Sequence, residues 1–170
     1  HDALPILAFV LTFIKFPLPF IPPYLTLDFS DVPTLLATFL LSPIGGIIVA
    51  LIKNILNFLF NIGDPVGPVA NFLAGVSFLL SSYYVYRKRK NNRSLIYGLI
   101  TGTIVMTIVL SILNYFVLLP LYGMIFNLGD VLNNVKIVIV SGVIPFNLIK
   151  GIIISIIFVL LFRRLRHIIK

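Results

Sequence analysis

The chemistry-bearing side chains of this 170-residue sequence are few, and most are amides. Lys53 and Lys150 each interrupt an otherwise apolar run of membrane-span length. Ionisable groups at membrane depth face the protein interior and by default mark a functional site. Lys150 closes the string Pro145-Phe146-Asn147-Leu148-Ile149-Lys150, so Asn147, three residues earlier, shares its helical face. Asn57 and Asn61, four apart and followed by Asp64, form a polar stripe at one helix end. Asn114 lies near the end of another apolar segment, and Asn54 and Asn71 add further amides. An amide presents two donors and an acceptor. Several helices offering amides toward one leaflet suit a neutral, hydrogen-bonding heterocycle better than an ion. Any single Asn is as well explained as interhelical glue, worth about 1 kcal/mol or less, and Lys150 alone as a side chain snorkelling to headgroups. Their convergence is what favours a pocket.

Other chemistries are excluded. The two histidines, His1 and His167, stand at opposite chain ends, so neither a Ser-His pair nor a histidine metal site forms at membrane depth. Without cysteine there is no thiolate nucleophile or thiolate metal site. Gly63-Asp64 and Gly129-Asp130 resemble the Gly-Asp of intramembrane aspartyl proteases but have Asn61 and Asn127 where the preceding glycine belongs, and they read as turns. No Gly-x-x-x-x-Gly-Lys-Ser/Thr loop is present. The reading is therefore no catalytic residue, no metal and no cofactor, with energy for any active transport drawn from a partner or an ion gradient.

The elements that must carry these groups are membrane spans. Fifty-nine per cent of the residues are hydrophobic, 11% are charged and mean hydropathy is +1.12, whereas an average soluble domain has about 25% charged residues. A spanning helix needs roughly 20 mostly apolar residues. Stretches bounded by charges, prolines and glycines predict an all-α, polytopic protein, one domain over 1–170, with six helices near 3–16, 31–42, 43–62, 65–87, 94–119 and 143–167. Prolines 17, 19, 22 and 23 stop the first helix, and the aromatic residues Phe20, Tyr24 and Phe29 in that loop suggest a stiff lid. Ser42, Pro43, Gly45 and Gly46 turn the second helix into the third, and 120–134 reads as a loop.

The 13 Lys and Arg outnumber five acidic residues, for a net charge of +8. Arg87, Lys88, Arg89, Lys90 and Arg93 precede the fifth span, and Arg163, Arg164, Arg166 and Lys170 follow the sixth. The positive-inside rule puts both clusters, and with them both termini, in the cytoplasm. Asp28, Asp31, Asp64 and Asp130 then fall outside. The basic clusters read as anchors to anionic lipid. No soluble basic surface with aromatic platforms exists for nucleic acid.

Tyr24-Leu25-Thr26-Leu27-Asp28-Phe29-Ser30-Asp31-Val32-Pro33, together with Ser42-Pro43-Ile44-Gly45-Gly46 and Pro-Phe-Asn-Leu-Ile-Lys at 145–150, carries a resemblance. Over essentially its whole length the chain resembles the substrate-binding S components of energy-coupling-factor (ECF) vitamin transporters, most closely the riboflavin-binding member. The resemblance implies a bacterial cell-membrane protein that captures riboflavin from outside and works with a transmembrane coupling subunit and two ABC-type ATPases. It implies a flavin near the outer face, at Asn114, Asn147 and Lys150, with Thr26, Leu27 and Asp28 from the first loop and Asn71 from the fourth helix. One departure stands out: the family's first helix commonly carries alanines four apart at the coupling-subunit contact, whereas Ala3 and Ala8 are five apart and the spacing recurs only at Ala70 and Ala74. The alternatives are an S component for another vitamin such as thiamin, or a self-sufficient secondary transporter using Lys53, Lys150 and the carboxylates.

Overall fold

Proline and glycine punctuate an otherwise helix-forming chain, and the elements follow them. The computed structural model describes residues 3–14, 16–17, 26–60 and 62–168. Helix α1 (Ala3–Leu11) unwinds through turn bonds from Thr12, Phe13 and Ile14 to the carbonyls of Phe9, Val10 and Leu11, short of the expected end at 16. Beyond it β1 (Phe16–Pro17) and β2 (Thr26–Leu27) pair antiparallel, with Phe16 opposite Leu27, so a two-residue ladder ties the ends of the expected loop together. The lid residues Phe20, Pro22, Pro23 and Tyr24 lie outside the described residues, as does Asn61.

Helices α2 (Asp31–Leu40) and α3 (Pro43–Phe60) are separate, joined by the tight turn expected at Ser42. The Ser42 hydroxyl accepts from the Gly45 N–H at 3.0 Å, which satisfies one of the donors a helix start leaves open. Gly46 brings the two helices together: a Cβ there would overlap the Thr38 hydroxyl. Helix α4 (Val66–Tyr86) ends in the basic turn, where Lys90 adopts a left-handed φ of 53°. Helix α5 (Asn92–Leu113) starts at a reciprocal cap, Asn91 accepting from the Ser94 N–H at 2.8 Å and Ser94 Oγ accepting from the Asn91 N–H at 3.1 Å. The α4–α5 contact is the most extensive in the molecule. It rests on Gly98 and Gly102, where a Cβ would meet Ser82 O at 2.5 Å and Phe78 O at 2.9 Å. Small residues four apart admit such close backbone approach inside a membrane.

The end of the fifth span and the start of the sixth depart from expectation. After α5 the chain continues through a π turn (Asn114–Leu118) into α6 (Leu119–Ile125), and Pro120 does not stop it. Helices α7 (Gly129–Asn133) and α8 (Val135–Val138) follow, and a second π turn (Ile139–Val143) leads into α9 (Ile144–Ile168). The expected loop over 120–134 is thus largely helical; α9 itself begins at Ile144, one residue from the expected 143, with α8 and the second π turn helical ahead of it. Each π turn ends two residues before a proline. A proline ring lacks an N–H and crowds the carbonyl four residues back. Just ahead of each proline the ladder widens to bonds five residues apart, Leu119 N–H to Asn114 O and Ile144 N–H to Ile139 O, and the helix runs on through the proline.

Four described helical stretches are long and apolar enough to cross a membrane: Pro43–Phe60, Val66–Tyr86, Asn92–Ile125 and Val135–Arg166. The 10-residue α2 spans only about 15 Å at 1.5 Å per residue, half of a hydrocarbon core of about 30 Å. The chain is a multi-pass membrane protein whose first two helices are short. Its core gathers Leu35, Phe78, Leu79, Leu99, Met106, Ile154 and Phe158, flanked by the rings of Phe39, Tyr83, Tyr86 and Phe162. Isoleucines 96, 100, 104, 108 and 112 on α5 stay exposed at four-residue intervals, an outward apolar stripe suited to lipid.

Candidate binding cavity

At the end of α4, α5 and α9 opposite the basic clusters, the helices part around a cavity of about 510 Å³. Asn57 comes from α3; Pro68, Ala70, Asn71 and Ala74 come from α4; Leu110 and Asn114 come from α5 and its π turn. Tyr122 and Phe126 add aromatic surface, and Val143, Phe146, Asn147 and Lys150 complete the α9 side. Asp28, just after β2, and Asp64, before α4, contribute carboxylates. Asp64 also accepts from the Val66 and Gly67 N–H groups at 3.1 and 2.9 Å and so holds the start of α4.

Both π turns border this space. Asn114 opens the first and donates to the Leu110 carbonyl at 2.6 Å; Asn147 follows the second and donates to the Val143 carbonyl at 2.8 Å. Each amide thereby fixes its own plane with one donor and retains a carbonyl oxygen and a second N–H. π turns recur at functional sites because the bulge re-aims the side chains around it.

Lys150 is held from two sides. Its Nζ lies 3.2 Å from Asn71 Oδ1 and 3.1 Å from Asp31 Oδ2. The other oxygen of Asp31 takes Lys53 Nζ at 2.6 Å, and Lys53 donates in turn to Ser30 Oγ at 2.8 Å. Ser30 then donates to Asp28 Oδ1 through its N–H at 2.9 Å and through its hydroxyl. Burying an unpaired charge is costly; here two carboxylates and two ammonium groups sum to zero. Their side chains are arranged so that each has an opposite charge or a hydroxyl against it.

Of the residues expected at the site, Asn147, Lys150, Asn114, Asn71 and Asp28 lie together on the cavity wall. Leu27 is buried one residue before Asp28 and off that wall. Thr26 pairs with Pro17 through the backbone, and its side chain lies outside the described residues. Lys53 is fully buried beneath the site instead of lining it, and Asp31, expected as an outer carboxylate, is the hinge of the ion network. Their signal was present in the sequence: opposite charges embedded in apolar helices must find each other. Ala70 and Ala74 line the cavity, and Ala8 is wholly buried against Ala37 and Val49, so these alanines serve the molecule's own interior. Among the described residues no cluster of metal-ligating side chains occurs.

Residues 6–162 match the family described as the substrate-specific component of ECF transporters. The chain belongs to that family. This S component is 71% identical over 164 residues to the riboflavin transporter RibU of Staphylococcus aureus (strain TCH60), covering 96% of this chain and 87% of that one. It is 42% identical over 166 residues to the riboflavin transporter FmnP of Bacillus subtilis (strain 168), covering 94% of this chain and 86% of that one. A solved structure of the S component of a bacterial ECF transporter superposes with a TM-score of 0.88 at 66% identity, over 99% of this chain and 94% of its counterpart. The family is one of transport components, and this S component is a transport protein, not an enzyme.

Proposed function

We propose that this S component captures riboflavin in the cavity between α4, α5 and α9 for uptake into the cell. The observation that supports the reading is the mixed lining of that cavity, apolar side chains beside amides and an ammonium. Pro68, Leu110, Val143 and Phe146 offer apolar surface for the dimethylbenzene edge of an isoalloxazine, while Asn114, Asn147 and Lys150 offer donors and acceptors for its pyrimidine edge. Asp28 and Asn71 on the same wall add polar groups that suit ribityl hydroxyls, and the Thr26–Leu27 strand leads into Asp28. A volume of about 510 Å³ is within the range of about 300 to 1,000 Å³ usual for small-molecule sites. Relatives at 71% and 42% identity carry the name riboflavin transporter.

The cavity opens to the extracellular side in this reading. Arg87, Lys88, Arg89, Lys90 and Arg93 with Arg163, Arg164 and Arg166 lie at the other end of the same helices, and clustered Lys and Arg stay cytoplasmic. Counting α1 and α2 as membrane segments gives six and leaves both termini inside, in one domain over 1–170. With no phosphate loop of its own, the chain relies on a transmembrane coupling subunit and two ABC-type ATPases for energy. The test is purification followed by flavin fluorescence titration of the detergent-solubilised chain. A co-purifying yellow chromophore and saturable quenching are expected; tight thiamin binding without saturable flavin binding overturns the assignment.

A further inference from the structure

Two ionic groups on the cavity wall, Asp28 and Lys150, are joined by a relay that never reaches the cavity. Asp28 receives Ser30, Ser30 receives Lys53, Lys53 meets Asp31, and Asp31 meets Lys150. The three inner members are 0%, 0% and 2% exposed. None of them lines the cavity, so any influence on a ligand passes through the two ends. Asp31 is the branch point, with one carboxylate oxygen on each ammonium.

We infer that Asp31, charge-balanced by Lys53, is a positioning residue that sets the aim of Lys150 toward the bound ligand. An ammonium has three donors and no acceptor. Asp31 takes one from Lys150 and Asn71 takes a second, which leaves one for a ligand carbonyl or hydroxyl in a direction fixed by the first two. Without Asp31 the Lys150 side chain, with four rotatable carbons and a strongly hydrated head, loses the carboxylate in contact with it, keeps only the more distant Asp28 on the cavity wall, and turns toward the open mouth of the cavity. Lys53 has the complementary duty. Asp31 lies between two lysines, and Lys53 also holds Ser30 and through it Asp28, so the segment after β2 and the α9 wall are registered against one carboxylate. Gly75 leaves room for this arrangement, since a Cβ there would lie 3.1 Å from Asp31 Oδ1.

This inference rests on flavin binding and is tested by a double-mutant cycle on flavin affinity. Asp31→Asn alone strands two buried ammonium groups, so the cycle is run in a Lys53→Met background, where removing the carboxylate leaves one lysine instead of two. The four chains are Lys53→Met; Lys53→Met with Asp31→Asn; Lys53→Met with Lys150→Met; and all three together. Asp31→Asn should weaken flavin binding at least tenfold when Lys150 is present and less than about twofold when it is already Met. A role confined to holding the fold gives the same penalty in both backgrounds, and equal penalties overturn the inference, as does no penalty in either. Where the Asn variants do not accumulate, Asp31→Glu replaces them: the carboxylate is kept but one methylene longer, and the same loss of affinity dependent on Lys150 is expected. A wild-type chain that fails to quench flavin overturns the flavin reading together with this one; a wild type that quenches, with equal penalties, overturns this one alone.

Discussion

Replacing Asn147 by leucine separates what this amide does for the fold from what it does for a ligand. Asn147 is 5% exposed, lies on the cavity wall and donates to the Val143 carbonyl at 2.8 Å. That internal bond exists with or without ligand, so its loss, about 0.5 to 1.5 kcal/mol net, cancels in the affinity and is read in thermal stability. In the proposed flavin complex the remaining carbonyl oxygen and N–H are the groups that meet the ligand. Leucine leaves their flavin partners unpaired in a desolvated site, at about 1 to 3 kcal/mol. With 1.4 kcal/mol per decade, the dissociation constant should rise about 5- to 150-fold. Asn54 supplies the control. It is also 5% exposed and donates to the carbonyl one turn back, Ala50, at 2.8 Å, but it does not line the cavity, and its Oδ1 is buried without a partner. Asn54→Leu should leave flavin affinity unchanged and stability unchanged or raised, because it removes an unsatisfied acceptor. Fluorescence titration and thermal unfolding of both variants decide the matter. An Asn147→Leu chain that binds flavin like wild type, or an Asn54→Leu chain equally impaired, refutes the assignment of the α9 amide to the ligand.

Gly102→Val should lower the thermal midpoint and the yield of monodisperse protein, because its Cβ would lie 2.9 Å from the Phe78 carbonyl at the α4–α5 contact; Gly63→Ala, with nothing within 4 Å, should be neutral in the same assay. Flavin binding should be indifferent to ATP, and proteoliposomes holding this chain alone should not accumulate flavin. Uphill uptake by the chain alone, driven by protons or sodium, would favour the secondary-transporter alternative. The chain has no cysteine, which permits a clean single-cysteine scan. A membrane-impermeant thiol reagent applied to intact cells should label cysteines at Asp64 and Gly129 but not at Asn91 or Lys170; labelling at Asn91 would reverse the orientation.

The membrane class, the α4 and α5 spans, the α2–α3 turn and the conspicuous polar residues Asn71, Asn114, Asn147 and Lys150 were legible in the linear sequence. These features are local or compositional. Hydropathy follows from the residues present, the Ser42-Pro43 turn from backbone chemistry within a few positions, and the Asn147–Lys150 face from helical periodicity alone. An amide in an apolar run is conspicuous wherever the run folds, so Asn71, Asn114 and Asn147 announced themselves one by one.

Tertiary structure decided the rest. Pro120 reads as a stop by its position after an apolar span, yet the chain runs on to Ile125, because the preceding π turn and the packing of Leu118 and Leu119 in the interior hold the helix together. The ion network could not be read from spacing, since Asp31 and Lys53 are 22 positions apart and Asn71 and Lys150 are 79 apart. Each of those residues taken alone is consistent with an outer carboxylate, a snorkelling lysine or an interhelical amide. Only the close approach of α2 and α3 at Gly46, and of Asp31 to α4 at Gly75, brings opposite charges within 3.1 Å out of water. The sequence by itself determined that amides and two lysines lie within apolar, span-length segments, because composition and periodicity are properties of the chain. Which carboxylate neutralises which lysine depends on distances between helices, and those distances exist only once the helices have packed.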